Sequence, residues 1–264
     1  MQYTVNCHLL FKEYPLFERA AVAKAAGFDQ VEYWWPFEEA EPPGDQIQAF
    51  VDAIKASGTQ LTGLNFFAGD MPGGDRGLVS WVARQAEFRA NVPVALAIGE
   101  ELGCKAYNAL YGNRQAGEDP AESDKVGFDN LVFAAGAAEA VGATVLLEPI
   151  SGSPDFPLKT AAECCAILDR LEEAGTTNVK FLCDLYHLAA NGEDLANVVE
   201  SYTGRTGHVQ IADYPGRGQP GTGTLPLEAL LTALRRGGYN GSVGLEYNPT
   251  VATANSFAQL PRLD

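Results

Sequence analysis

Basic residues are scarce in this chain: 18 Lys and Arg stand against 34 Asp and Glu, a formal net charge of −16 over 264 residues. Phosphate backbones are bound by basic stripes, and no such stripe occurs, so nucleic acid is excluded as an expected partner. Histidine is scarcer still, with only His8, His187 and His208, too few for a multi-zinc centre built on imidazoles. No continuous apolar run reaches the roughly 18 residues a bilayer demands, so no membrane span is expected. The opening stretch MQYTVNCHLLFKEYP lacks a basic start, a long apolar centre and a small-residue cleavage site. It is not read as a secretory signal, and the expected location is cytoplasmic. The five cysteines (Cys7, Cys104, Cys164, Cys165, Cys183) are odd in number and show no CxxC spacing, as expected of reduced, mostly buried thiols.

What the chain does have is alternation. Strand-like segments occur at residues 3–8, 30–34, 60–67, 105–111, 144–150, 178–184, 207–213 and 242–247. Amphipathic stretches of helical period lie between them, at 16–27, 46–58, 84–103 and 227–238 among others. Gly27, Gly58, Gly103, Gly142 and Gly175 stand where helices should stop. Pro93 interrupts the third helical pattern and predicts a kink there. Eight β-then-α units without a composition break argue for a single α/β domain over residues 1–264, a (β/α)₈ TIM barrel. A doubly wound dinucleotide fold is the weaker choice, because NCHLLFKEYP carries no glycine fingerprint after the first strand. The tail, residues 249–264, is expected to be a loop outside the repeating pattern.

In a closed parallel barrel, alternate residues face the interior. Val145 and Leu147 then face the helices while Leu146 and Glu148 point inward. By the same alternation Leu182 and Asp184, Gln210, and Glu246 point inward from the sixth, seventh and eighth strands. Each polar group stands near the C-terminal end of its strand, the barrel face on which enzymes of this fold build their sites. Three carboxylates and an amide converging there would raise one another's pKa unless a cation neutralised them. Oxygen donors of this kind suit a hard divalent ion, so Glu148, Asp184, Gln210 and Glu246 are candidate ligands for Mg²⁺ or Mn²⁺.

The motifs LLEPI, CDLYH, GHVQIADYPGRGQPGTG and GLEYNP, with AAGFDQVEYWWPF, AGDMPGGDRG and EFR upstream, resemble the hydroxypyruvate isomerase family of xylose-isomerase-like barrels, in the same order over most of the chain. The resemblance implies an aldose–ketose type isomerase working through an enediol. It implies that Glu148 and Glu246 are the two catalytic acid/base carboxylates, and that the metal ligands are Glu148, Asp184, Gln210 and Glu246. His187 and Arg217 would contact substrate oxygen. Gln210 stands where the related ketose epimerases carry a metal-binding histidine, and an amide oxygen is a poorer ligand than imidazole for a transition metal.

The substrate expected on this basis is a small anionic hydroxy or oxo acid, hydroxypyruvate first, with tartronate semialdehyde as product. Arg217 and Arg76 are candidates to pair with its carboxylate. A longer sugar or sugar acid, such as a 2-oxo-tetronate or a ketose, and a non-catalytic sugar-acid binder are the alternatives. The glycine-rich stretch after Gln210 reads as a lid-like loop. His208 reads as a hydrogen-bonded core histidine. His8 and Asn6 share an inward row and either pack or touch substrate, and Trp34, Trp35 and Phe37 either wall the pocket or belong to the core. Exposed helices of such barrels often pair, which leaves a homo-oligomer open.

Overall fold

In the computed structural model, which describes residues 1–263, the eight strand segments close on one another. They are β1 (Gln2–Asn6), β2 (Gln30–Tyr33), β3 (Gln60–Asn65), β4 (Ala106–Asn108), β5 (Thr144–Leu147), β6 (Val179–Asp184), β7 (Thr206–Ile211) and β8 (Ser242–Leu245). Each pairs in parallel with the next and β1 pairs with β8, a closed barrel without edges. Helices α1 (Arg19–Ala25), α2 (Gly44–Ser57), α3 (Gln85–Leu102), α4 (Pro120–Ala140) and α5 (Ala161–Glu173) follow the first five strands in turn. Two short helices, α6 (Leu185–Ala190) and α7 (Leu195–Tyr202), follow β6, and α8 (Leu227–Arg236) follows β7. The expected (β/α)₈ barrel is thus present. None of its described helices is long and apolar enough to cross a membrane.

The period-two alternation sets the core. Val5, Val31, Val145, Leu147, Phe181, Val209, Ile211, Val243 and Leu245 are all fully buried between the sheet and the helices, where burial of each contributes roughly 1.5–3 kcal/mol. All five cysteines are free and buried, and burial pushes each thiol upward, away from the reactive thiolate. The five helix-stop glycines adopt positive φ, which only a residue lacking Cβ takes without strain.

The structure refines three expectations. The helix across Pro93 runs without a break for 18 residues, from Gln85 to Leu102; the ring removes only the bond to the Arg89 carbonyl, and packing on the barrel holds the rest. The tail, described through residue 263, is a loop outside the repeating units as expected, with one 3-10 turn at Thr253–Asn255, but it is anchored. Thr253 Oγ1 accepts from Phe11 N at 3.0 Å, Tyr3 donates to Pro261 O at 2.6 Å, and Phe257 packs on Phe28 with ring centroids 4.7 Å apart. It thereby ties the last segment to the first βα unit and the loop leading into β2. Finally, most strands stop two or three residues short of the segments expected from the sequence, because the chain leaves the ladder at the barrel rim. Glu148 and Glu246 are the first residues beyond β5 and β8.

Candidate active site

That rim opens into a cavity of about 1030 Å³ whose floor holds Glu148, His187, Arg217 and Glu246. Ligand atoms of Glu148, Asp184, His187 and Glu246 lie within 4.8 Å of one another, and all four residues are buried. The barrel therefore brings together three of the four predicted ligands and both predicted proton-transfer groups. Gln210, buried beside them, donates from Nε2 to Glu246 Oε1 at 3.3 Å.

The two glutamates differ in their surroundings. Glu246 accepts from Trp34 Nε1 at 2.8 Å, from Asn6 Nδ2 at 3.0 Å and from the guanidinium of Arg217. Glu148 accepts from Asn108 Nδ2 at 2.7 Å. Burial raises the pKa of Glu148 well above the usual carboxylate range, with Glu246 and Asp184 pushing it further. Burial also raises Glu246, against the pull of Arg217. Asp184 is pushed up to about 7, by burial first and then by Glu246. It caps α6 as well: its Oδ1 accepts the backbone N–H groups of Tyr186 and His187 at 2.7 and 3.1 Å. Structural cap and site member are the same carboxylate.

His187 can be assigned a tautomer. Its Nδ1 accepts the backbone N–H of Ser151 at 3.0 Å, and a backbone N–H can only donate. Burial, then the nearby Arg217 and Lys159, hold the ring well below its ordinary pKa, so it is neutral. The remaining proton is therefore on Nε2, 4.0 Å from Glu148 Oε1 and 3.9 Å from Asp184 Oδ2. His187 offers the site an N–H donor and not a ligand lone pair. By contrast, Asp184 Oδ2 and Gln210 Oε1 are buried acceptors without a hydrogen-bond partner. Unpaired acceptors among crowded carboxylates are what a bound cation would satisfy, so the donor set fits a hard divalent ion.

Arg217 sits at positive φ in the loop after β7, stacked 5.4 Å over the ring of Tyr186. The loop is less lid-like than its glycines suggest. The carboxylate of buried Asp213 accepts backbone N–H groups of Tyr214, Gly221, Gly223 and Leu225 at 2.9–3.0 Å, and Asn248 N donates to Arg217 O at 2.7 Å. Arg76 lines the same cavity, but its Nη1 donates to the carbonyls of Met71 and Asp75. It is anchored on its own loop and not on the carboxylate cluster. Trp34, Trp35 and Phe37 do wall the cavity. His8 also lines it, stacked on Trp34 at 5.3 Å; burial, with nearby Arg19 and Lys12, lowers it to about 4, so this ring too is neutral.

Four contributors stand outside the residues that the sequence singles out for these roles. Glu32 and Asn108 follow the same alternation as Glu148, and that signal could have found them. Trp34 reads from sequence as a pocket wall or a core residue, yet it donates to Glu246. Ser151 lies in a loop and gives no signal.

A closed barrel with buried carboxylates gathered at its C-terminal rim defines an enzyme of the TIM-barrel class. Comparison with known proteins places it further: the chain belongs to the xylose isomerase-like TIM barrel family, whose profile matches residues 20–262. A Streptomyces coelicolor protein assigned to the hydroxypyruvate isomerases is 52% identical, over 98% of this chain and 95% of its own. The 2-oxo-tetronate isomerase of Cupriavidus necator is 32% identical, over 98% and 97% of the two chains. The crystal structure of a family 2 AP endonuclease from Brucella melitensis superposes with a TM-score of 0.88 at 31% identity, covering 97% and 96% of the two chains. The chain is an isomerase-type enzyme of the hydroxypyruvate isomerase group.

Proposed function

We propose that the enzyme interconverts hydroxypyruvate and tartronate semialdehyde by proton transfer through an enediol, with Glu148 and Glu246 as the proton-transfer pair. The observation that carries this is the meeting of those two carboxylates, from β5 and β8, at one cavity floor with different hydrogen-bond environments. Glu246, held by Arg217, Trp34, Asn6 and Gln210, is the better-stabilised anion and serves as base toward C3 of hydroxypyruvate. Glu148, with one amide donor and two carboxylate neighbours, holds a proton more readily and delivers one to C2. The carbonyl moves from C2 to C3, and the hydroxyl proton moves from O3 to O2, so atoms and charge balance. Roles exchange in the reverse direction. The negative charge of the enediolate is met by Nε2–H of His187 and by Arg217. Glu148, Asp184, Gln210 and Glu246 would hold Mg²⁺ or Mn²⁺, which would supply Lewis-acid stabilisation of the developing oxyanion.

The substrate carboxylate is given to Arg217 or, at the outer wall, to Arg76. A sugar-acid isomerase needs no basic groove, and the net charge of −16 disfavours DNA as substrate, the endonuclease name of the Brucella protein notwithstanding. A second reading has its own support: a cavity of about 1030 Å³ far exceeds a three-carbon acid, and one relative acts on a 2-oxo-tetronate by name. Metal-stripped enzyme assayed with hydroxypyruvate and with a four-carbon 2-oxo acid, each with and without Mg²⁺ or Mn²⁺, decides between them. Turnover of hydroxypyruvate is expected; turnover of the four-carbon acid alone would transfer the assignment to the second reading. Loss of the His187 donor is expected to cost about 10²-fold in kcat, read by steady-state kinetics of His187→Ala. An unchanged kcat would remove His187 from oxyanion stabilisation.

A further inference from the structure

Beneath the cavity floor lies a second polar layer that the proposed chemistry does not use. Glu32, on β2, is buried, and both its oxygens are occupied. Its Oε2 accepts from His208 Nε2 at 2.7 Å. Its Oε1 accepts from Gln210 Nε2 at 2.8 Å and from Asn6 Nδ2 at 3.2 Å. The same two amide groups reach Glu246 Oε1, at 3.3 and 3.0 Å. Two NH₂ groups are therefore each shared between two carboxylates, one proton for each.

An amide has two ends, and which one faces Glu246 matters. Flipping either amide would aim a carbonyl oxygen at two carboxylates, an arrangement without any donor. Asn6 keeps its Oδ1 for the backbone N–H of His8 at 3.0 Å, and Gln210 keeps its Oε1 free. The space is shaped for this layer. A Cβ at Gly244 of β8 would lie 2.7 Å from Glu32 Oε1 and 2.8 Å from Gln210 Cγ. The void beside the network, about 10 Å³, has no room for a chain of waters that could replace these bonds.

We propose that Glu32, anchored by His208, is a positioning residue that locks the amides of Asn6 and Gln210 so that both present N–H to Glu246 and Gln210 keeps its carbonyl oxygen open. The kinetic consequence rests on the isomerase reading; the structural one does not. The test is Glu32→Met in the full-length enzyme, a change of similar size that leaves neither amide an acceptor at this position. Hydroxypyruvate kcat should fall about tenfold to a hundredfold with KM within about twofold, as misalignment of a reacting group does. Side-chain NH₂ signals of Asn6 and Gln210, assigned by ¹⁵N NMR through Asn6→Ala and Gln210→Ala, should exchange slowly with solvent in the parent enzyme and fast in Glu32→Met. In the Asn6→Ala/Gln210→Ala background, adding Glu32→Met should lower kcat no further. If Glu32→Met does not fold, Glu32→Asp, whose carboxylate is drawn back by one methylene, should show the same loss and the same fast exchange. Slow exchange preserved in the Glu32 variant, unchanged kcat, or a further multiplicative loss in the triple variant would overturn the proposal. An enzyme inactive on hydroxypyruvate would defeat the isomerase reading and leave the exchange measurement to judge Glu32.

Discussion

Glu148→Gln and Glu246→Gln are each expected to lower turnover of hydroxypyruvate by about 10³-fold, within the ~10²–10⁴ that a positioned acid or base supplies, while the barrel stays folded. Glutamine keeps the shape of each side chain but can neither take nor deliver a proton. The two variants should fail differently. Glu246→Gln loses the group that opens the reaction, so C3 hydrogens of hydroxypyruvate should no longer exchange with solvent. Glu148→Gln keeps that base, so exchange at C3 should persist without product. Steady-state rates, circular dichroism and the ¹H spectrum of substrate in deuterated water check all three statements. Near-parental turnover in either folded variant would refute the two-carboxylate mechanism.

The second large effect concerns pH and the cation. Asp184, pushed up to about 7 from an ordinary 3.8 by burial and then by Glu246, holds its proton in the folded state where the unfolded chain has released it. Between about pH 4 and 7 the folded protein thus binds more protons than the unfolded one at this residue. Its contribution to stability is lost as pH rises through that window, on the order of 4 kcal/mol if no cation is bound. Glu148 and Glu246 shift in the same direction. A divalent ion competes with those protons, so Mn²⁺ should raise Tm strongly at pH 8 and little at pH 5. Thermal unfolding of metal-stripped protein at both pH values, with and without Mn²⁺, reads this. An equal shift at both values would contradict the assignment of the cluster as the cation site.

Much of this molecule is legible from period-two alternation. It places Glu148, Asp184, Gln210 and Glu246 inward from consecutive strands, and helix-stop glycines mark where each unit ends. Glu32 obeys the same rule, yet a lone glutamate in QVEY resembles any solvated strand residue until its partners from β1 and β7 are seen. The strands read too long because residues such as Phe66, Phe67, Leu110, Tyr111 and Ile150 carry strand-like composition past the last ladder bond. The glycines after Gln210 suggest freedom, but Asp213, 8 to 12 residues from three of the N–H groups it accepts, removes it. The order of the tail is hidden for a related reason: its contacts with Phe11 and Phe28 join opposite ends of the chain, which no local pattern records.

Proton transfer between two glutamates and an internal hydride shift are separated by one isotope measurement. Hydroxypyruvate is turned over in deuterated water, and the mixture is reduced promptly with borohydride to trap the aldehyde as glycerate. Deuterium at C2 of the glycerate derived from tartronate semialdehyde, placed there by a solvent-equilibrated Glu148, is the predicted result. Absence of deuterium at C2, although the ¹H spectrum taken before reduction shows that the aldehyde has formed, would show that hydrogen crosses directly from C3, and the carboxylate-pair account would fall.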